Sequence, residues 1–249
     1  MNLLNKAAII TGGGRGIGRA IALRFAEHGA QCLIADINFD NASKVAAEIN
    51  QTGTKAFAVK ADVTSESDVE AMVKACVDEY GMVDILVNNA GITSPQTLME
   101  TSTDDFHRQL RVNLDSVYLC TKAVFSIMMN QRRGKIVNIA SIAGKRGGGI
   151  MGKSAYAAAK GGVIAFTKAI AREGGPFGIN VNAITPGLTA TEMTKNFSEE
   201  QRKLVIQAIP LGRVAEPDDI AKAAVFLASE YSDYITGEIM DVDGGFMMD

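Results

Sequence analysis

The sequence predicts an α/β fold in which a doubly wound parallel sheet of about seven strands is covered by helices on both faces. Three observations predict it. Short β-rich apolar runs alternate with longer stretches whose apolar residues recur at helical spacing. The short runs are apolar almost throughout, as strands buried on both faces must be. A glycine cluster also joins the first apolar run to the first helical stretch, where such folds make their sharpest turn.

The strands expected in chain order are Ala7 to Thr11, Cys32 to Asp36, Ala56 to Lys60, Ile85 to Asn88, Lys135 to Ile139 and Ile179 to Ile184. A short run from Glu238 to Val242 completes the sheet. Between the first two, Ile17, Ala20, Ile21 and Phe25 mark one face of a helix. Val69, Met72, Val73, Cys76, Val77 and Tyr80 mark another, opened by the cap-forming and acidic residues Thr64 to Asp68. Gly29, Gly53 and Gly81 each follow a helical run, where a left-handed stop suits glycine. A last helix is expected from Glu216 through Ala228.

Length and composition favour one domain over residues 1–249, since no Pro/Ser-rich break or charge block marks a linker. Glycine is 25 of 249 residues, about 10% against a usual 7% or so, while proline is only 5, so the excess belongs to ordered loops. The formal charge of −3 offers no electrostatic footprint for nucleic acid. Apolar runs are too short to span a membrane, and the first ten residues lack the pattern of a secretion signal. Cys32, Cys76 and Cys120 are isolated, which fits buried thiols in a reducing cytoplasm. With only His28 and His107, a histidine-rich metal site is not expected, and no metal is assigned.

The glycine cluster reads Thr11-Gly12-Gly13-Gly14-Arg15-Gly16-Ile17-Gly18 between strand and helix. Backbone amides at such a turn, together with the helix N-terminus, suit a pyrophosphate. Gly12 permits the turn, Gly16 admits the pyrophosphate, and Gly18 allows helix and strand to pack closely. Asp36 ends the second strand 18 residues after Gly18, near the spacing of an acid that binds ribose hydroxyls. Its carboxylate accepts from a 2′-hydroxyl and repels a 2′-phosphate, so NAD is expected in preference to NADP. Arg15 speaks the other way, but one carboxylate at the ribose outweighs one mobile cation. The fold is therefore expected to be of the Rossmann type.

Over nearly its whole length the chain resembles the classical short-chain dehydrogenase/reductase family. The glycine loop has that family's T-G-x-x-x-G-x-G form. Asp62-Val63 resembles the pair that meets the adenine, and Asn88-Asn89-Ala90-Gly91 its N-N-A-G, which supports the sheet and lines the cofactor. Asn113, Ser141, Tyr156 and Lys160 fall at the family's four active-site positions. Pro186-Gly187-Leu188-Thr189-Ala190-Thr191 resembles the segment that holds the nicotinamide carboxamide. Ser141 and Tyr156 are 15 residues apart, longer than the family's usual spacing, so the loop between them carries an insertion.

The resemblance implies transfer of hydride between a secondary alcohol and a ketone. Tyr156 and Lys160, four apart on one helix, share a face. An ammonium about 4 Å from a phenol, at an effective dielectric near 20, favours phenolate by roughly 4 kcal/mol. Tyr156 is then a general base in oxidation and a general acid in reduction, with Ser141 holding the reacting oxygen. By resemblance, Lys160 also grips the nicotinamide ribose and Asn113 anchors a water that relays the proton.

The substrate is expected to be a small polyol, sugar acid or hydroxy acid, bound in a loop at about 141–155 under a lid at about 188–212. Lys145 and Arg146 in that loop are as readily a solvated basic pair as a grip on an acidic group; of the two, Arg146 is taken as the substrate candidate. A 3-oxoacyl-[acyl-carrier-protein] reductase is the competing reading, with Arg132, Arg133 and Arg172 as a surface for the acidic carrier. A cofactor-binding regulator without catalysis is a remote third, since such proteins typically lose the tyrosine or lysine. The resemblance also implies a homotetramer, with the apolar end Phe246-Met247-Met248 at an interface or folded back.

Overall fold

The computed structural model describes residues 1–149, 152–194 and 198–248. Ile150 and Met151 of the expected substrate loop, Lys195, Asn196 and Phe197 of the expected lid, and Asp249 lie outside the described residues. The strands are β1 (Ala7–Thr11), β2 (Gln31–Asp36), β3 (Ala56–Lys60), β4 (Ile85–Asn88), β5 (Gly134–Ile139), β6 (Ile179–Pro186) and β7 (Ile239–Val242). They form one sheet in the order β3-β2-β1-β4-β5-β6-β7, and every neighbouring pair is parallel. Each expected strand is present, with ends displaced by two residues or fewer.

The helices are α1 (Gly16–Glu27), α2 (Phe39–Asn50), α3 (Glu66–Tyr80), α4 (Thr103–Leu110), α5 (Ser116–Gln131), α6 (Ile142–Arg146), α7 (Ser154–Gly174), α8 (Glu199–Ala208) and α9 (Pro217–Ala228). A π-helical turn over Arg111–Asp115 joins α4 to α5. Local chemistry accounts for the boundaries. Ser65 caps α3 by accepting from the Asp68 amide at 3.3 Å, and the helix stops at Gly81 in the left-handed conformation. Glu216 and Asp219 form a reciprocal cap at the start of α9, with Pro217 in its first turn.

Alternation along the strands divides the core. Ile10, Ile34, Val87, Val137 and Ile184 face α1, α2 and α9, whereas Ile9, Leu33, Leu86, Ile136 and Val181 face α3, α5 and the end of α7. Burying one such side chain contributes about 1.5–3 kcal/mol. Two satisfied faces explain why the strands read as continuous apolar runs. Cys32, Cys76 and Cys120 are buried among these residues, and burial pushes their thiols up, Cys76 and Cys120 to about 12. No helix among the described residues is long and apolar enough to cross a membrane.

Thr11 ties the two central strands together where they leave the sheet. Its hydroxyl, 1% exposed, donates to the Val87 carbonyl at 3.2 Å and accepts from the Asn89 and Ala90 amides at 3.1 and 3.2 Å. Thr11→Val keeps the volume and removes the hydroxyl. It is expected to cost about 1–3 kcal/mol, measured by urea unfolding, because buried amides lose their acceptor.

Candidate active site

The C-terminal ends of the strands open onto a cleft of about 1620 Å³. It straddles the place where chain order reverses, between β1 and β4, the switch point at which doubly wound sheets bind ligands. From the first loop come Gly12, Arg15, Gly16 and Ile17; from the next turns come Asp36, Asp62 and Val63. Asn89, Ala90 and Gly91 follow β4, and Asn113, Ser141, Tyr156 and Lys160 stand opposite. Pro186, Gly187, Thr189 and Thr191 close the far wall, and Arg146 lies at the substrate end.

Gly18, the glycine expected to let helix and strand pack closely, is not among the residues lining the cleft. A Cβ there would lie 2.2 Å from the Gly12 oxygen and 2.5 Å from Asn89 Nδ2. Its role is close packing rather than ligand contact.

The cofactor half is built from backbone. Gly12 takes φ +61, and a side chain on it would strike the Ala90 Cα at 2.9 Å. Asn89 Nδ2 donates to the carbonyls of Thr11 and Gly12 at 2.9 and 3.0 Å, which fixes the turn. The first turn of α1 has no acidic residue and no side-chain cap among the described residues, so its amides point at the cleft unclaimed by side chains. Asp36 Oδ2 accepts from the Gly14 amide at 3.0 Å and Oδ1 from the Asn38 amide at 2.9 Å. That carboxylate is held at the rim with lone pairs to spare for hydroxyl donors. The cradle, the amides and the acid fit a dinucleotide.

The reaction half is buried. Lys160, 4% exposed, donates from Nζ to the Ile139 carbonyl at 2.6 Å and lies 5.9 Å from the Tyr156 ring centroid. Burial lowers its pKa from 10.5 to about 8. Burial also pushes the Tyr156 phenol above its ordinary value, while a hydrogen bond from Ser141 acts against that shift. In the chain by itself burial thus favours the protonated phenol, acting against the push toward phenolate expected from the lysine's charge. Desolvation is the leading cause, and the nearby ammonium is partly spent on the Ile139 carbonyl.

Ser141 is the N-cap of α6. Its Oγ accepts from the Ala143 amide at 3.1 Å, which leaves the hydroxyl hydrogen to point toward the phenol or a substrate oxygen. The serine and tyrosine are brought together by bare backbone: a Cβ on Gly144 would lie 2.6 Å from the Lys160 carbonyl carbon and 2.7 Å from the Gly161 nitrogen. Gly152 packs flat on the phenol, where a Cβ would fall 2.1 Å from Tyr156 Cδ1.

Asn113 is fully buried in the π-helical turn. Its Oδ1 accepts from the Ile92 amide at 3.1 Å, and its Nδ2 donates to the carbonyl and side chain of Gln109 at 2.9 and 3.1 Å. Gly91 keeps the space between it and the lysine clear, since a Cβ there would be 2.8 Å from Asn113 Oδ1 and 3.7 Å from Lys160 Nζ.

Lys145 and Arg146 part company. Lys145 pairs with Asp241 at 2.8 Å, both mostly buried, whereas Arg146 reaches the cleft with its guanidinium 5.0 Å from the Phe246 ring centroid. Sequence reasoning missed Asp243 and Phe246 as lining residues, and Arg108 and Arg111 at the rim. No local signal marked them, since they meet the site only through the fold. Arg132 stacks on Phe177 and Arg133 pairs with Asp84, both before β5 begins and so at the opposite end of the sheet. Arg172 stands 16 residues along α7 from Tyr156, about 24 Å at helical rise.

Known proteins are similar to this chain over nearly its whole length. A family model described as enoyl-(acyl carrier protein) reductase matches residues 12–247. A 3-oxoacyl-[acyl-carrier-protein] reductase of Chlamydia muridarum is 46% identical over 244 residues, 98% of either chain. One from Vibrio cholerae is 43% identical over 248 residues, the full length of both. A short-chain type dehydrogenase/reductase from Mycobacterium marinum superimposes with a TM-score of 0.95 at 35% identity, covering 100% of this chain and 98% of that one. Levodione reductase does so with 0.92 at 36% identity, covering 97% of each.

The lysine's burial has a measurable consequence. Below pH 8 the folded chain must hold a buried ammonium, which costs about 3 kcal/mol relative to water. Between about pH 8 and the unfolded value of 10.5 the folded form binds fewer protons, so Lys160 makes stability rise with pH there. Lys160→Met should therefore be inactive yet more stable than the parent at pH 7, by about 1–2 kcal/mol in thermal unfolding. The gap should shrink by pH 10.

Proposed function

The chain belongs to the short-chain dehydrogenase/reductase family, oxidoreductases of secondary alcohols and ketones, and from that premise we propose that it transfers hydride between NAD(H) and a small polyol, sugar acid or hydroxy acid. The observation that carries the cofactor is Asp36, whose carboxylate is held at the cleft rim by the Gly14 and Asn38 amides. A 2′-phosphate there would meet a fixed negative charge, while a 2′-hydroxyl would find an acceptor. Arg146, an exposed cation lining the cleft, supports an acidic substrate.

The chain's residues divide the chemistry as follows. NAD(H), when bound, would supply the hydride acceptor or donor and, when oxidised, a positive charge that favours phenolate. Ser141 donates to the substrate oxygen, its own Oγ being braced by the Ala143 amide. In oxidation Tyr156 takes the hydroxyl proton; in reduction it returns it. Lys160 lowers the cost of phenolate and holds the ribose. Asn113 faces Lys160 across the space that Gly91 keeps clear, which supports a water there passing the proton outward. The exposed apolar tail residue Met248 fits assembly as a homotetramer in the cytoplasm, the setting expected of an NAD-linked metabolic enzyme.

A second reading, reduction of a 3-oxoacyl thioester on a carrier protein, is favoured by the names of the curated relatives. Asp36 speaks against NADPH as its reductant, and within one chain the arginines expected to receive the carrier lie far from the cleft.

Initial rates separate the readings. NAD+ and NADP+ are compared on polyols, sugar acids and hydroxy acids, and NADH and NADPH on an acetoacetyl thioester. Reduction of the thioester with NADPH alone would overturn the first reading. Asp36→Ser is expected to lower kcat/KM with NAD+ by about tenfold or more and to narrow the gap to NADP+.

A further inference from the structure

We propose that Phe246 is a positioning residue: it holds the Arg146 guanidinium on the substrate side of the cleft and so sets a preference for anionic over neutral alcohols. The inference deepens the reading above and rests on its acidic substrate.

Arg146 ends α6, is exposed, and has no acidic partner among the described residues. A side chain with four rotatable bonds would ordinarily wander there, and ordering it on substrate binding would cost affinity. Instead its guanidinium lies 5.0 Å from the Phe246 centroid. Resting on an aromatic face leaves the in-plane N–H donors free for a carboxylate.

The platform is itself fixed. Asp243, 6% exposed, accepts from the Gly245 and Met247 amides at 2.9 and 2.8 Å, which pins the chain on both sides of Phe246. Asp243 in turn packs on Gly187 of the nicotinamide loop, where a Cβ would fall 2.8 Å from its Cα. The Gly244 carbonyl accepts from the Leu211 amide at 3.1 Å, joining the same segment to the base of the lid. Two residues before Asp243, Asp241 holds Lys145 at 2.8 Å. The adjacent cations of α6 therefore have different duties: Lys145 anchors the helix to β7, and Arg146 is presented by the tail.

The test compares kcat and KM for 3-hydroxybutyrate against its methyl ester, and gluconate against sorbitol, in Arg146→Ala, Phe246→Leu, Phe246→Tyr and the double variant Arg146→Ala/Phe246→Leu. Phe246→Leu should raise KM for the acids about three- to tenfold at unchanged kcat, and leave KM for the neutral partners and for NAD+ alone. Phe246→Tyr should restore the acid KM, and the double variant should be no worse than Arg146→Ala. If Arg146→Ala raises the acid KM but Phe246→Leu does not, the positioning role falls while the acidic-substrate reading stands. If Phe246→Leu depresses kcat on acids and neutral substrates alike, Phe246 merely shapes the cleft and the proposal is overturned. If Arg146→Ala leaves every acid KM unchanged, both fall together.

Discussion

Everything that binds in the cleft depends on how closely the chain leaving β1 approaches the chain leaving β4. The Thr11 hydroxyl sets that approach, because it serves the Val87 carbonyl and two amides after β4 at once. Asn89 answers from the other side with two bonds to the Thr11 and Gly12 carbonyls. The gap is so narrow that Gly12 and Gly18 cannot carry side chains. The glycine loop is thus less a flexible ligand clasp than a tight backbone joint, and the amides of α1 face the cleft because the joint leaves them no other direction.

The second half of the site is arranged around burial. Lys160 and Tyr156 lie in the same dry pocket, and each is driven toward its neutral form. The lysine is thereby brought nearer to a protonation change, while the phenol is held more firmly in its protonated form. Ser141 opposes the shift on the phenol, and the Ile139 carbonyl steadies the ammonium. Such a pocket stores an electrostatic cost in the folded chain that a hydrophobic residue would not incur, and it holds that cost where chemistry is expected.

Much of this was legible in the sequence. The strands announced themselves because both sheet faces are buried, and Tyr156 with Lys160 stood out through the family resemblance, their spacing adding only that they share a helix face. Asp36 was legible from its place at a strand end. What failed to show was what distant segments do to one another. No local signal distinguishes the surroundings of Lys145 and Arg146; Asp241, 96 residues on, holds the lysine, and Phe246 meets the arginine. Phe246 looked like interface or packing until the Asp243 turn placed it in the cleft. Burial of the tyrosine, which pushes its phenol up, is likewise something a spacing argument cannot see.

The contact between Gly144 and Gly161 separates two things that natural selection acts upon. Because α6 and α7 meet main chain to main chain, the distance from Ser141 to Tyr156 owes little to the identity of neighbouring side chains. Beyond that contact, at Gly147, a side chain would meet nothing within 4 Å. Lengthening there alters the mouth of the cleft and leaves the hinge of the chemistry where it was. Such a scaffold is modular: new substrates can be explored by insertion and drift in one segment without re-solving the problem of proton transfer.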